Sequence, residues 1–272
     1  MSERAPIDYP MDYHIHSCFS CDSESDVADI CIAAMGAGFK EIGISDHVDF
    51  GPDDPADYFK PAAYLEEIKM WRHMYSWIKV RLGLEIGEPH LFPERAQAIL
   101  SQLPVDFVIG SAHYNIHMEA AWKEAYFETH PLRETCETYF QQVAALAAEG
   151  DFDILGHLDL IKRDARKFGL SYDGPEPYAD LIRQALRSVI DRGKAIEINT
   201  SPLRRRQPEP CPSVEILRWY REMGGEYITL GSDAHTPEAI GAHFDEALEL
   251  ARSVGFEYLA RFRDRKMTLK KF

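Results

Sequence analysis

Cysteine is scarce in this 272-residue chain: there are five, an odd number thinly spread over a length that suits one large α/β domain, 1–272. That scatter excludes a disulfide-built scaffold. Cys18 and Cys21 form a lone C-x-x-C. A four-thiolate zinc site needs a second such pair, so these two read as small residues flanking a loop. No stretch comes near the roughly 18 uninterrupted apolar residues of a membrane span. The first ten residues, MSERAPIDYP, lack the apolar centre of a secretory signal. The expectation is a cytoplasmic protein with no membrane partner. Positive charge is also short, with 30 Lys plus Arg against 45 Asp plus Glu and a formal charge of −15. Such a surface repels a polynucleotide backbone and argues against nucleic-acid binding. It still admits a small anionic ligand where cations and a few arginines reverse the potential locally. Glycine-rich dinucleotide and Walker fingerprints are absent, which removes the simplest nucleotide-cofactor readings.

What recurs is a short apolar run, a polar or metal-capable residue, then a helical pattern. The runs are 11–16, 41–47, 80–86, 105–113, 152–159, 195–201 and 227–235, each rich in Ile, Val, Leu, Phe or Tyr. Between them lie helical spacings. Val27, Ile30, Cys31 and Ala34 precede Gly36 and Gly38; Ile182, Ala185, Leu186, Val189 and Ile190 precede Gly193. Pro212-Ser213 starts a helix ending near Gly224, and Thr236-Pro237-Glu238 starts one running towards Gly255. Seven strand-then-helix units predict a parallel α/β architecture. In every unit the chemically interesting residue falls at the C-terminal end of the strand. A doubly wound sheet uses a few strands at one switch point, whereas a barrel brings all its strand ends to one mouth. A seven-stranded (β/α)7 barrel is therefore expected.

The strand ends carry His14-Ile15-His16, Asp46-His47, Glu85, His113, His157 and Asp233-Ala234-His235, with Asp22 in the loop after the first. Strand alternation puts His14 and His16 on one side, as two ligands of one ion require. Any single strand-end histidine is more often structural than ligating. The set differs: of eleven histidines, His14, His16, His47, His113, His117, His157 and His235 lie at or just beyond strand ends. Imidazole mixed with carboxylate, without thiolate, suits Zn, Mn or Fe better than Mg or Ca. Nine such side chains exceed what one tetrahedral ion uses, so at least two divalent metals are implied. Paired metals stabilise attacking and leaving oxygens and ionise a bridging water, which describes a hydrolytic site.

These segments resemble the polymerase and histidinol phosphatase (PHP) superfamily. The likeness rests on His14-x-His16, Ser45-Asp46-His47, Gly83-Leu84-Glu85, Gly110-Ser111-Ala112-His113, Gly156-His157 and Gly231-Ser232-Asp233-Ala234-His235. Within it, GHLDLIKR (156–163), EINTSPLR (197–204) and Glu209-Pro210-Cys211-Pro212-Ser213 are most similar to the stand-alone histidinol-phosphate phosphatases. The resemblance implies a distorted, TIM-like seven-stranded barrel with two or three metals. Carried over by position, His14, His16, Glu85 and Asp233 would hold one. Glu85, His113 and His157 would hold a second, and Asp22, His47 and His235 a third. Glu85, Asp233 and His235 would be central to catalysis. The implied reaction is hydrolysis of a phosphomonoester by a metal-bridging hydroxide, in the histidine pathway L-histidinol phosphate to L-histidinol and inorganic phosphate.

A phosphate dianion needs cations beyond the metals, and arginine offers paired donors. Arg163, beyond His157, and Arg204, after the sixth run, are the expected phosphate ligands, with Lys162 a weaker candidate. Tyr114 and His117 are placed at the substrate's organic end, Glu88 at a cationic group on it, and Asp159 behind a ligating imidazole. The basic C-terminal cluster, Arg261 to Lys271, reads as a solvated closing segment with Met267, Leu269 and Phe272 packed on the barrel. Three alternatives stand beside the histidinol-phosphatase reading. One is a phosphatase of nucleotides or other small monoesters on the same site. A second is a non-catalytic metal-binding accessory module, which degenerate ligands would favour. The third, an amidohydrolase-like deaminase, would want a strand-end lysine that no run supplies.

Overall fold

A computed structural model describes residues 11–120 and 123–272 of the chain; the leader reading of residues 1–10 lies outside them. The apolar runs become strands buried along nearly their whole length, as a sheet covered on both faces requires. They are Glu41–Ile44 (β1), His47–Val48 (β2), Lys79–Gly87 (β3), Phe107–Ser111 (β4), Ile154–Leu155 (β5), Ala195–Asn199 (β6) and Ile228–Gly231 (β7). All pair in parallel in the order β1-β3-β4-β5-β6-β7, with β2 also on β3. The segment 11–16 lies between the two edges. Tyr13 N donates to Leu230 O (3.1 Å) and His16 N to Ala234 O (2.8 Å) on one side. Gly43 N donates to Asp12 O (2.7 Å) and Ser45 N to Ile15 O (2.8 Å) on the other. The result is the expected distorted seven-stave barrel, jacketed by helices.

Close packing explains the glycine in the third run. A Cβ on Gly83 would come within 2.1 Å of Phe107 Cζ, so the Phe107 ring fills the barrel interior only because β3 has no side chain there. Below the site, Tyr13, Phe107, Ile109, Ile154 and Ala195 form an apolar plug with Ala260 and Phe262.

The sequence expectations need correcting in four places. The 41–47 run is not continuous; it breaks at Ser45-Asp46, where the Asp46 carboxylate accepts from Ser17 N, Ser17 Oγ and Ser20 Oγ at 2.6–2.7 Å. The 11–16 run makes isolated bridges rather than a ladder. The helix expected from Thr236 to Gly255 is a 3-10 turn, Pro237–Ala239, and a separate helix, Phe244–Val254. Left-handed Gly241 (φ 65°) and His243 (φ 62°) separate them, and Gly241 N is tied to Asp12 Oδ2 (2.9 Å). The C-terminal cluster is an antiparallel hairpin, Tyr258–Arg263 (β8) with Lys266–Lys271 (β9), closing the lower end of the barrel. Its arginines are ion-paired: Arg261 with Glu41, Arg265 with Asp151 and Asp153. Leu269 is exposed rather than packed, on a strand whose residues are all exposed or half-buried.

Candidate metal centre

Strand direction decides where the functional side chains meet. Parallel staves end at one rim, and β3 delivers Glu85 to the centre of it. Oε2 of Glu85 lies 3.1 Å from His14 Nε2, 3.5 Å from His16 Nε2 and 3.0 Å from His47 Nδ1. Oε1 lies 3.3 Å from His113 Nε2 and 2.9 Å from His157 Nε2, and accepts a hydrogen bond from Ser111 Oγ (2.6 Å). Five imidazoles from four staves thus face one fully buried carboxylate. Asp233, at the end of the seventh stave, places Oδ1 3.5 Å from both His16 Nε2 and His235 Nδ1 and 4.0 Å from His14 Nε2. Asp22 sits at the open edge, Oδ2 3.1 Å from His235 Nε2 and Oδ1 3.7 Å from His47 Nε2. All nine expected side chains are therefore brought together.

Three of the groupings in which ligand atoms lie within 4.8 Å of one another are His14-His16-Glu85, Glu85-His113-His157 and His16-His47-His235. The second matches the implied partition, the first holds three of its four members with Asp233 outside the grouping, and in the third His16 replaces the more exposed Asp22. Buried polar atoms normally find hydrogen-bond partners. Here His14 Nε2, His16 Nε2, His47 Nδ1 and Glu85 Oε2 are buried without one among the described residues. Lone pairs aimed at each other across 3 to 3.5 Å suit divalent cations between them, and an imidazole–carboxylate set fits Zn, Mn or Fe.

Electrostatics agree. Burial would push Glu85 up, but His14, His47 and His113 outweigh it and hold the carboxyl well below its usual range. Burial likewise opposes ionisation of Asp233, and His16, His14 and His235 overcome it. His47 is driven down by burial and up, more strongly, by Glu85 and Asp49, reaching about 9. His16 falls to about 3, through burial and then the neighbouring His235 and His47. The anionic ligands stay charged without any ion present.

Several contributors escaped the sequence reading. Glu197, from β6, accepts from or pairs with His14 Nδ1 (2.6 Å), and its other oxygen accepts from His157 N (2.8 Å). A Cβ on Gly231 would lie 1.9 Å from Glu197 Oε1, which accounts for the glycine opening the 231–235 motif. Asp49 reaches Nδ1 of both His47 and His113 at 3.1 Å, and Ser20 Oγ meets His16 Nδ1 at 3.0 Å. The signal for Asp49 was its spacing of two from His47. Glu197 lay in the quoted 197–204 stretch, on the inward parity of Ala195 and Asn199.

Above the ligands opens a cleft of about 740 Å³. Its lining combines Arg163, Lys167, Arg204 and Arg205 with Asp22, Asp49, Asp53 and Asp54. Arg163 is held by Asp164 Oδ1 (3.0 Å), with NH1 3.4 Å from Asp233 Oδ2. Arg204 differs from expectation: its guanidinium donates to the main-chain carbonyls of Ser232 and Asp233. Three proposed substrate contacts do not line the cleft. Glu88 is fully buried and accepts from His113 N (2.5 Å) and Tyr114 N (2.9 Å), and burial raises it to about 8. Tyr114 is buried and its hydroxyl accepts from Asp53 N (3.2 Å). His117 is exposed on the 115–119 turn, outside the cleft lining. Lys162 is buried against Pro210 O (2.6 Å) and Asp159 (3.0 Å), and Asp159 accepts from Ser213 N, so neither reaches the ligands.

A barrel with a polynuclear histidine–carboxylate centre at the C-terminal rim defines a class of metallohydrolase fold, and comparison with known proteins agrees. The PHP domain family matches residues 12–201, and the chain belongs to that family. A probable histidinol-phosphatase of Clostridium acetobutylicum is 31% identical over 89% of this chain and 92% of its own length. One from Deinococcus radiodurans is 31% identical, covering 94% and 97%. Among solved structures, histidinol phosphate phosphatase from Lactococcus lactis, complexed with Zn, L-histidinol and phosphate, superposes with a TM-score of 0.84 at 26% identity, covering 95% of this chain and 98% of that one.

Proposed function

We propose that the chain is a divalent-metal-dependent phosphomonoesterase of histidine biosynthesis that converts L-histidinol phosphate to L-histidinol and inorganic phosphate in the cytoplasm. The observation that carries this reading is five imidazoles facing the buried Glu85, with His14 Nε2, His16 Nε2, His47 Nδ1 and Glu85 Oε2 left without a hydrogen-bond partner among the described residues. His14, His16, Glu85 and Asp233 would hold one ion, Glu85, His113 and His157 a second, and His47 and His235 with Asp22 or His16 a third. Bound there, the ions supply Lewis acidity and bring the ionisation of water near neutral pH. The chain's own residues do the rest. Glu85, facing five imidazoles, and Asp233 with His235 keep the centre assembled, while Glu197, Asp49 and Ser20 fix the ring orientations. Arg163, braced by Asp164, meets the phosphate dianion with paired N–H donors. The carboxylates Asp22, Asp49, Asp53 and Asp54 that line the same cleft suit a substrate whose organic end is cationic, as an amino alcohol is.

Support comes from the histidinol-phosphatase relatives over nearly the whole chain, and from the Lactococcus neighbour with its zinc and both products. No described helix is long and apolar enough to cross a membrane. The deciding experiment is phosphate release from a panel holding histidinol phosphate, nucleoside monophosphates and sugar phosphates. The expected result is the highest kcat/KM on histidinol phosphate, abolished by chelator and restored by Zn or Mn. Comparable turnover of nucleotides would move the assignment to a broader phosphatase, and metal-replete protein without any turnover would leave the accessory-module reading.

A further inference from the structure

Asp233 adopts a left-handed backbone conformation, φ 54°, with a side chain that favours the right-handed regions. Such a residue persists only where its surroundings over-determine it. The turn at 232–233 is gripped from several directions. Asp12 Oδ1 accepts from Ser232 N (3.0 Å), and Ala234 N donates to His14 O (3.2 Å). The carbonyls between are taken by one guanidinium: Arg204 NH1 donates to Ser232 O and NH2 to Asp233 O (2.8 Å). Asp233 O also lies 3.1 Å from His235 Nδ1, so a proton there leaves Nε2 free to face Asp22 and the centre. The next residue, Arg205, is exposed and lines the same cleft; its N–H donates to Pro202 O (3.0 Å), while its side chain has no hydrogen-bond or ion-pair partner among the described residues.

We infer that Arg204 is a positioning residue: it clamps the carbonyls of Ser232 and Asp233, holds the left-handed turn, and so aims the Asp233 carboxylate and the His235 ring into the centre, while Arg205 is the cation of this segment left to meet the phosphate. Two parallel N–H donors from one rigid plane suit two successive carbonyls, and a single ammonium does not. Outer contacts that orient ligating side chains change metal affinity by about 10- to 100-fold when removed. The inference rests on the reading of Asp233 and His235 as metal ligands, so its test reads metal binding separately from turnover.

Wild type, Arg204→Ala, Arg204→Lys and Arg205→Ala are dialysed against graded free zinc. Metal per chain is measured by elemental analysis, thermal unfolding of each apo-protein is recorded, and kcat and KM are determined with histidinol phosphate. For Arg204→Ala, affinity for at least one equivalent of zinc should fall about tenfold or more, and kcat should fall with KM within about twofold. Arg204→Lys keeps the charge and should not rescue either loss. Arg205→Ala should bind zinc as wild type does and raise KM several-fold. If Arg204→Ala keeps wild-type zinc affinity, or if Arg204→Lys restores it fully, the clamp is overturned. If Arg204→Ala raises only KM, Arg204 is a phosphate ligand instead. Should Arg204→Ala fail to fold, Arg204→Lys alone decides by the same zinc titration. A wild-type chain that binds no zinc would overturn the functional reading itself, a result distinct from any of these.

Discussion

Glu197 shows how much of the centre's chemistry lies one bond behind the ligands. With Oε1 2.6 Å from His14 Nδ1 and Oε2 accepting the main-chain N–H of His157 at 2.8 Å, it fixes one ring and one backbone from opposite sides of the barrel. A carboxylate behind an imidazole sets its tautomer and raises its basicity. Glu197→Gln keeps the shape and removes the charge. The expected outcome is zinc affinity lowered about 10- to 100-fold and kcat reduced in parallel, with KM little changed. Competition with a chromophoric chelator measures the first and steady-state kinetics the second; unaltered zinc affinity would leave Glu197 as packing only. Sequence reading found His14 because histidine at a strand end is rare enough to signal. It passed over Glu197 because, among 45 acidic residues, only a barrel's curvature tells which one faces a ring from another stave.

At the scale of elements, β3 and β4 are fitted to each other through one glycine and one ring. Phe107 lies so close above Gly83 that a methyl there would overlap its Cζ, and a Cβ at Gly43 would meet the same ring at 2.6 Å. Gly83→Ala should therefore destabilise by about 1–3 kcal/mol, the usual effect of overpacking a filled core. Phe107→Leu should also destabilise, through lost contacts. Combined, the two should cost less than their sum, since the smaller side chain makes room for the methyl. Urea unfolding of the single and double variants checks this, and strict additivity would mean that β3 relaxes without involving Phe107. The seven staves were legible because buried parallel strands read as short continuous apolar runs. The broken helix at 237–254 was not. Its apolar spacing continues through Ile240, and the interruption depends on a tertiary hydrogen bond from Gly241 to Asp12, far away in sequence. The closing hairpin was missed for a related reason: its basic residues look solvated until Glu41, Asp151 and Asp153 are placed beneath them.

For the whole molecule, the centre couples metal, protons and stability. Without ions, Glu85 and Asp233 remain ionised because imidazoles around them take up protons. Burial lowers the affinity of His14, His47 and His113 for a proton. The facing carboxylates Glu85, Glu197 and Asp49 more than restore it, so His47 titrates near 9 and the other two above their ordinary 6.5. At pH 7 the folded apo-protein therefore carries protons on rings that must be neutral to coordinate an ion. Loading the apo-protein with zinc should release roughly one to three protons per chain. Calorimetric titrations in buffers of differing ionisation enthalpy measure that number directly. The sign follows from the raised values: apparent zinc affinity should strengthen as pH rises from 6 to 8, and the proton release should shrink as pH passes 9. Because an ion bound only by the folded chain stabilises it by RT ln(1 + [L]/Kd), free zinc at 1,000 times Kd should add about 4 kcal/mol. The unfolding midpoint should then rise with zinc more steeply at pH 8 than at pH 6. A heat independent of buffer would mean that the imidazoles are already neutral in the apo-protein and that Glu85 is held in its charged state by something else.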